Sequence, residues 1–312
     1  MVRIGVDVGG TGIQVGIVND SNQIIAQDSI VTRPDLPFTE QIRQMAECIL
    51  SLVQSNGLQE QDIQHVGVGI PGIASPEGVV IKCANLGWNH VPFREEFNRV
   101  LNRPVYLDND ANVAALAESI IGISAGTSSS VFITLGTGIG SGIILNGKIW
   151  SGFHGIGGEL GHTILALDGL PCNCGNHGCL ERYCSATAII RMAREAVATH
   201  PESTILSKAG GNPDRINARY VIDAAREKDP VAMEVFARFI RYLSQAVANV
   251  VNFLDPEMIV LGGGVSKAGA ILLDGVREEY WKYVNYRDQP MPPVHLAILG
   301  PEAGIIGAAM LG

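Results

Sequence analysis

The chain is poor in charge. Only 17% of its 312 residues are Asp, Glu, Lys or Arg, and the balance is acidic, with 22 Lys and Arg against 31 Asp and Glu and a formal net charge of −9. A basic stripe, the electrostatic footprint of a nucleic-acid surface, is missing. The opening MVRIGVDVGG lacks the basic start and long apolar middle of a secretory signal. No uninterrupted apolar run is long enough to span a bilayer as a helix. No GxxxxGK[ST] stretch occurs, which excludes a P-loop. Together these absences predict a cytoplasmic protein with no nucleic-acid partner and no membrane partner.

What the chain does have is apolar residues, at 46%, and 37 glycines. The length suits roughly two domains of ordinary size. Cysteine is scarce but uneven: three of the six fall in PCNCGNHGC, residues 171–179. In a reducing compartment such a cluster binds metal or does chemistry more often than it forms disulfides. Cys48, Cys83 and Cys184 lie apart from it and read as packing residues.

Hydrophobic periodicity predicts strands over 2–8, 12–19, 23–32, 64–70, 105–107, 128–135, 141–145 and 257–261. It predicts helices over 39–56, 112–121, 185–199, 217–227, 231–253 and 303–311. Residues 10–18 (GTGIQVGIV) and 136–144 (GTGIGSGII) are identical at six of nine positions. Chance similarity of two glycine-rich hairpins is one explanation. A duplicated unit with one such hairpin per domain is the other, and the better supported.

Glycine-rich turns let backbone N–H groups approach an anion closely, so two of them could hold a polyphosphate. Asp7 precedes the first of these turns, where a carboxylate suits Mg²⁺ held through water; an ordinary turn-forming Asp is the alternative. Gly67, Gly69 and Gly72 match GxGxxG, but Pro71 interrupts the helix entry a dinucleotide site needs. Gly262, Gly263 and Gly264 follow a strand and could border a nucleotide. LDNDAN, residues 107–112, packs two carboxylates and two amides at a strand end. An N-cap accounts for one or two of these; the rest suit binding of hydroxyls and acceptance of a proton.

The segments DVGGTG (7–12), LDNDANVAALAE (107–118), LGTGIGSGIILNGKIWSG (135–152), GGELGH (157–162), CNCGNHGCLE (172–181) and LGGGV (261–265) together resemble the ROK family of bacterial sugar kinases and related repressors. The resemblance covers essentially the whole chain. It implies an α/β fold of the two-lobed actin/hexokinase-type ATPase class, with a ribonuclease-H-like core in each lobe. The expected lobes are 1–118 plus 301–312, and 119–300 with the cysteine loop.

The resemblance also implies roles. Structural Zn²⁺ is expected on His162, Cys172, Cys174 and Cys179, a closed tetrahedral set of three thiolates and an imidazole. Gly72, Asn85, Asn109, Asp110, Glu159, His162 and Glu181 match sugar-binding positions, with Asp110 as the catalytic base. Asp7, Gly9, Gly10, Thr11, Gly12, Thr137, Gly138, Gly263 and Gly264 match the ATP and Mg²⁺ positions. ANLGW (84–88) resembles the glucose-using form of its loop, so the expected reaction is ATP-dependent phosphorylation of a hexose, glucose first, at the 6-hydroxyl. Kinases of N-acetylmannosamine, fructose, mannose or allose are alternatives, as is a sugar-responsive regulator without catalysis. The family implies a homodimer or homotetramer.

Overall fold

Val2, Ile4, Val6 and Val8 alternate along one strand, and Ile13, Val15 and Ile17 along the next, all of them buried. That period of two builds a sheet with a buried face. In the computed structural model, which describes residues 1–312, the strands are β1 (Val2–Val8), β2 (Gly12–Val18), β3 (Ile24–Val31), β4 (Ile63–Ile70), β5 (Ile73–Ala74), β6 (Val80–Cys83), β7 (Trp88–Val91), β8 (Val105–Asn109), β9 (Ser129–Leu135), β10 (Ile139–Leu145), β11 (Lys148–Ile149), β12 (Met258–Gly262) and β13 (Val294–Leu296). The helices are α1 (Phe38–Ser55), α2 (Phe93–Asn98), α3 (Asp110–Ile120), α4 (Glu181–Cys184), α5 (Ala186–Thr199), α6 (Thr204–Lys208), α7 (Ala218–Arg226), α8 (Pro230–Leu254), α9 (Ala270–Glu279) and α10 (Ala303–Ala309).

The residues divide into two units. One comprises Met1–Ser128, Gly142–Gly158 and Ile298–Gly312; the other comprises Ser129–Ser141 and Glu159–Ala297. These limits differ from the expected lobes chiefly at 142–158. That segment goes with the first unit because Gly142 lies on α3, where a Cβ would come within 2.6 Å of Ala111 O and Ala115 Cβ.

The first unit has a sheet in the order β3-β2-β1-β4-β8. β1, β2 and β3 pair antiparallel; β1, β4 and β8 run parallel. Ile42, Met45, Ala46, Ile49 and Val53 of α1 join Phe93 and Phe97 of α2 in the core built on these strands. α10 meets the sheet backbone to backbone. A Cβ on Gly5 would stand 1.9 Å from Ile305 O, and one on Gly67 1.7 Å from Ala308 O. A small sheet, β5-β6-β7, sits between β4 and α2 in the chain.

The second sheet has the order β11-β10-β9-β12-β13. β12 runs parallel to β9 and β13, and β11 antiparallel to β10. Position by position this repeats the first sheet: a hairpin edge, then parallel strands. The internal repeat in the sequence is therefore a repeat of the fold. The helices of the second unit are led by α8. It starts at Pro230 behind Asp229, whose Oδ1 accepts the Ala232 N–H at 2.8 Å, a standard N-cap with proline in the first turn.

Gly67→Ala should push α10 off the sheet, because the new methyl has only backbone to meet. Overpacking of this kind costs about 1–3 kcal/mol. Denaturant titration should show the midpoint falling accordingly; an unchanged midpoint would mean the helix does not sit where described.

Candidate active site and metal cluster

The parallel strands of the first unit end together, and in open α/β sheets that edge is where ligands bind. Register puts Asp7 opposite Gly69 and Gly69 opposite Asp108. Gly69 lets α3 come close to this row: a Cβ there would stand 2.8 Å from Val113 Cγ2. Two carboxylate-bearing segments thus flank one glycine.

Asp7 is largely buried, and burial pushes its carboxyl above the ordinary range. It opens onto a cavity of about 680 Å³ lined also by Gln14, Gln27, Leu299, Gly300 and Glu302. The adjoining turn closes through the Gly9 N–H on Gly12 O at 2.9 Å. Thr32 braces it by donating from Oγ1 to Gly9 O at 2.7 Å. Asn85 lies beside this turn, its Nδ2 3.7 Å from where a Gly10 Cβ would be.

At the end of β8, Asn109 caps α3. Its Oδ1 accepts the N–H groups of Ala111 (2.9 Å) and Asn112 (3.4 Å), while its Nδ2 donates to Gly72 O at 3.2 Å. One side chain therefore fixes both the helix start and the Gly72 loop. α3 begins at Asp110 rather than at 112, because the cap falls at Asn109. Asp110 is held in the first helical turn, with the Ala111 N–H 2.9 Å from its Oδ1. Asp108 is turned to structural use: its Oδ1 accepts from Asn112 Nδ2 (2.8 Å) and from the Asn109 N–H (2.7 Å). Burial pushes its carboxyl up, and those hydrogen bonds oppose the shift.

The second unit gathers a second set. The turn after β9 closes with the Gly136 N–H on Gly138 O at 3.0 Å. Glu181 reaches this turn, its Oε2 accepting the Ile139 N–H at 3.1 Å. The carboxylate lies close against Gly138: a Cβ there would stand 2.1 Å from that oxygen and would displace it. Thr187 donates to Thr137 O at 2.7 Å from the start of α5. Gly263, at φ +82°, presses against the Leu135 backbone, and Gly264 next to it stands open. Gly263 thus lies against the strand end that leads into Thr137 and Gly138.

His162, Cys172, Cys174 and Cys179 place one ligand atom each within 4.8 Å of one another. Cys172 Sγ is 3.8 Å from His162 Nδ1, and Cys174 Sγ is 3.6 Å from Cys179 Sγ. Ligands about 2.0–2.3 Å from a tetrahedral ion stand about 3.3–3.8 Å apart, so the set fits zinc. Sulfurs in a disulfide are only about 2.05 Å apart. Cys174 is held down to about 7, first by the Asn176 N–H. Cys179 is pushed up to about 12, first by burial and then by the neighbouring thiols. Thiols that resist ionising together need a cation to become three thiolates. The other His162 nitrogen, Nε2, is 4.0 Å from Glu159 Oε2. Cys48, Cys83 and Cys184 are buried and unpaired with one another.

Comparison with known proteins gives the family and the fold. The model of the ROK family matches residues 3–312. The chain belongs to the ROK family. It is 37% identical over 310 residues to a glucokinase of Halalkalibacterium halodurans, covering 99% of this chain and 94% of that one. A glucokinase of Thermotoga maritima is also 37% identical, with 99% and 96% covered. Among solved structures, a ROK family glucokinase of Streptomyces griseus in complex with glucose and AMPPNP superposes with a TM-score of 0.85 at 33% identity, covering 99% of this chain and 98% of that one. The actin/hexokinase-like ATPase fold of the ROK sugar kinases is thereby the fold of this chain.

Gly9, Gly10, Gly72, Asn85, Asn109, Asp110 and Asp7 fall in the first unit. Thr137, Gly138, Glu159, His162, Glu181, Gly263, Gly264 and the cysteine cluster fall in the second. Sequence reasoning passed over Thr32, Thr187 and Tyr183. The Tyr183 hydroxyl accepts the Leu170 N–H at 2.9 Å, just ahead of the cysteine loop. No motif marks these residues; a hydroxyl at the end of a strand or the start of a helix is their only trace.

Asn109→Ala should cost about 1 kcal/mol, the usual loss of an N-cap. Asn109→Ser should recover most of that, since serine caps well, while leaving the Gly72 carbonyl untied. Chemical denaturation of the two variants checks the order; equal losses would contradict the capping role.

Proposed function

We infer that the protein is an ATP- and Mg²⁺-dependent hexose kinase that transfers the γ-phosphoryl group of ATP to glucose, at the 6-hydroxyl. The observation that carries this is the row at the strand ends. Asp110 is held in the first turn of α3 by the Asn109 cap, and Asp7 stands across Gly69 from Asp108. The glucokinase relatives, and the similar structure solved with glucose and an ATP analogue, supply the substrate class.

Asp110 takes the proton of the sugar hydroxyl as that oxygen attacks the γ-phosphorus. Asp108 is tied down by Asn112 and by the Asn109 N–H, and we assign the base to Asp110, which opens α3 at the strand end. On the family resemblance, Gly72, Asn85 and Asn109 of the first unit and Glu159, His162 and Glu181 of the second are each assigned to bind sugar hydroxyls. Asn109 does this with what its cap and its Gly72 bond leave over. In the first unit the turn Gly9–Gly12, closed by the Gly9 N–H on Gly12 O, offers its remaining backbone N–H groups to phosphate; in the second, Thr137 and Gly138 do the same, and Gly263 with Gly264 border the nucleotide. Mg²⁺ suits the Asp7 carboxylate, which burial leaves short of counter-charge, and when bound it supplies charge neutralisation on the transferring group.

Zinc suits the His162, Cys172, Cys174 and Cys179 set, and when bound it cross-links the loop. His162 has Nδ1 on the cysteine side and Nε2 on the side of Glu159. A ring so divided would have its tautomer fixed by the metal and leave Nε2 for a sugar hydroxyl. No helix is long and apolar enough to cross a membrane. We propose a cytoplasmic enzyme working as a homodimer or homotetramer, on the family resemblance.

Asp110→Asn removes the base and keeps one acceptor. We expect kcat to fall about 10²- to 10⁴-fold, with glucose binding by calorimetry surviving. Asp108→Asn should retain most activity. A near wild-type rate for the first variant and a dead second variant would name the wrong carboxylate.

Elemental analysis should find one zinc per chain. Cys174→Ser should lower both zinc content and thermal stability, because binding energy at a structural site is folding energy. Zinc-free protein that keeps full activity and stability would remove the metal from this reading.

A further inference from the structure

Glu118 on α3 is completely buried, and no step above uses it. Backbone fills its carboxylate. Oε1 accepts the N–H groups of Ile298 (2.9 Å) and Leu299 (3.0 Å), and Oε2 accepts that of Ile123 (2.9 Å). Gly122 makes the room: a Cβ there would stand 2.1 Å from Oε2. A carboxylate is tolerated in the interior only where such hydrogen bonds replace water. These three come from two distant stretches, the connection after α3 and the point where the chain enters the first unit for the last time.

The stretch after Leu299 runs through a 3₁₀ turn, Gly300–Glu302, into α10. Leu299, Gly300, Pro301 and Glu302 wall the cavity onto which Asp7 opens. Gly304 lies directly on Asp7, since a Cβ there would be 2.4 Å from Asp7 Oδ2. We propose that Glu118 is a positioning residue for Asp7. By holding Ile298 and Leu299 it sets where Gly300–Gly304 stands against the Asp7 carboxylate, and so the space left there for a phosphate-bound divalent cation. Glu118 touches no substrate; it acts through backbone. The proposal rests on Asp7 being the Mg²⁺–nucleotide residue.

Glu118→Gln keeps the shape but turns one acceptor oxygen into an NH₂ group. Whichever way the amide turns, at least one of the three N–H groups loses its acceptor. Gly122→Ala keeps the Glu118 side chain chemically intact and presses on it from outside, on its Cα as well as its carboxylate. Three quantities are measured on the full chain: binding of MgAMPPNP by calorimetry, binding of glucose by calorimetry, and amide hydrogen exchange from Ile298 to Gly304.

In both variants MgAMPPNP should bind about tenfold more weakly, the scale typical of residues that orient a metal ligand. Glucose affinity should stay within about twofold, the lower end of ordinary mutational scatter. Exchange should quicken as far as Gly304. Wild-type nucleotide affinity, equal loss for both ligands, or failure of both variants to fold would each overturn the proposal. If the wild-type protein binds no MgAMPPNP, the kinase reading fails by itself, and exchange then decides. Quickening confined to Ile123, Ile298 and Leu299 overturns the positioning role, and quickening that reaches Gly304 supports it.

Discussion

The first unit depends on one close approach, the laying of α10 onto the backbone of β1 and β4. Glycine at positions 5 and 67 removes the side chains that would hold a helix at ordinary distance. Gly307 does the same toward α3, where a Cβ would stand 1.7 Å from Val113 O. Helix and sheet packing normally leaves side chains to fill the gap. Here backbone meets backbone, and a side chain at any of these glycines would hold α10 off. Asp7, under Gly304, and α3, which carries Asp110, both pack against the helix so placed.

The same economy recurs in the second unit with a different tie. There the glycine turn at 136–138 is held from its side by the Glu181 carboxylate and the Thr187 hydroxyl. Glu181 is two residues beyond Cys179, so the cluster that gathers His162 and three cysteines also places the carboxylate on the turn. The candidate metal set and Glu181 lie on one stretch, 162–181, and Glu181 ties that stretch back to the turn at 136–138. A closed four-ligand set does no chemistry itself; bound metal would hold that stretch still.

Much of this was legible from the residues. β-branched alternation located β1, β2, β4 and β9, and helical periodicity located α1, α5, α7 and α8, because each is long enough for its period to repeat. The two GTGI segments announced the repeated hairpin. The sheet β5-β6-β7 escaped notice, since its strands are two to four residues long and no period develops. α9 and β13 were hidden in the same way by the irregular stretch from 263 to 300. Within the site, Asp7, Asp110 and the cysteine set stood out as motifs. Thr32, Thr187 and Glu118 did not, because what defines them is a partner far away in the chain: Glu118 meets Ile298 across 180 positions. Asn109 was visible as a polar residue in LDNDAN, but its double use as helix cap and tether for Gly72 belongs to three dimensions.

The central claim is that the strand-end carboxylate row transfers a phosphoryl group to a sugar hydroxyl. The most direct measurement is ³¹P NMR of purified protein mixed with MgATP and equal amounts of glucose and N-acetylmannosamine. The account predicts glucose 6-phosphate as the first and dominant product, appearing with ADP in equal amount. Phosphate on the anomeric position, preferential use of the amino sugar, or ATP hydrolysis without a sugar phosphate would contradict it.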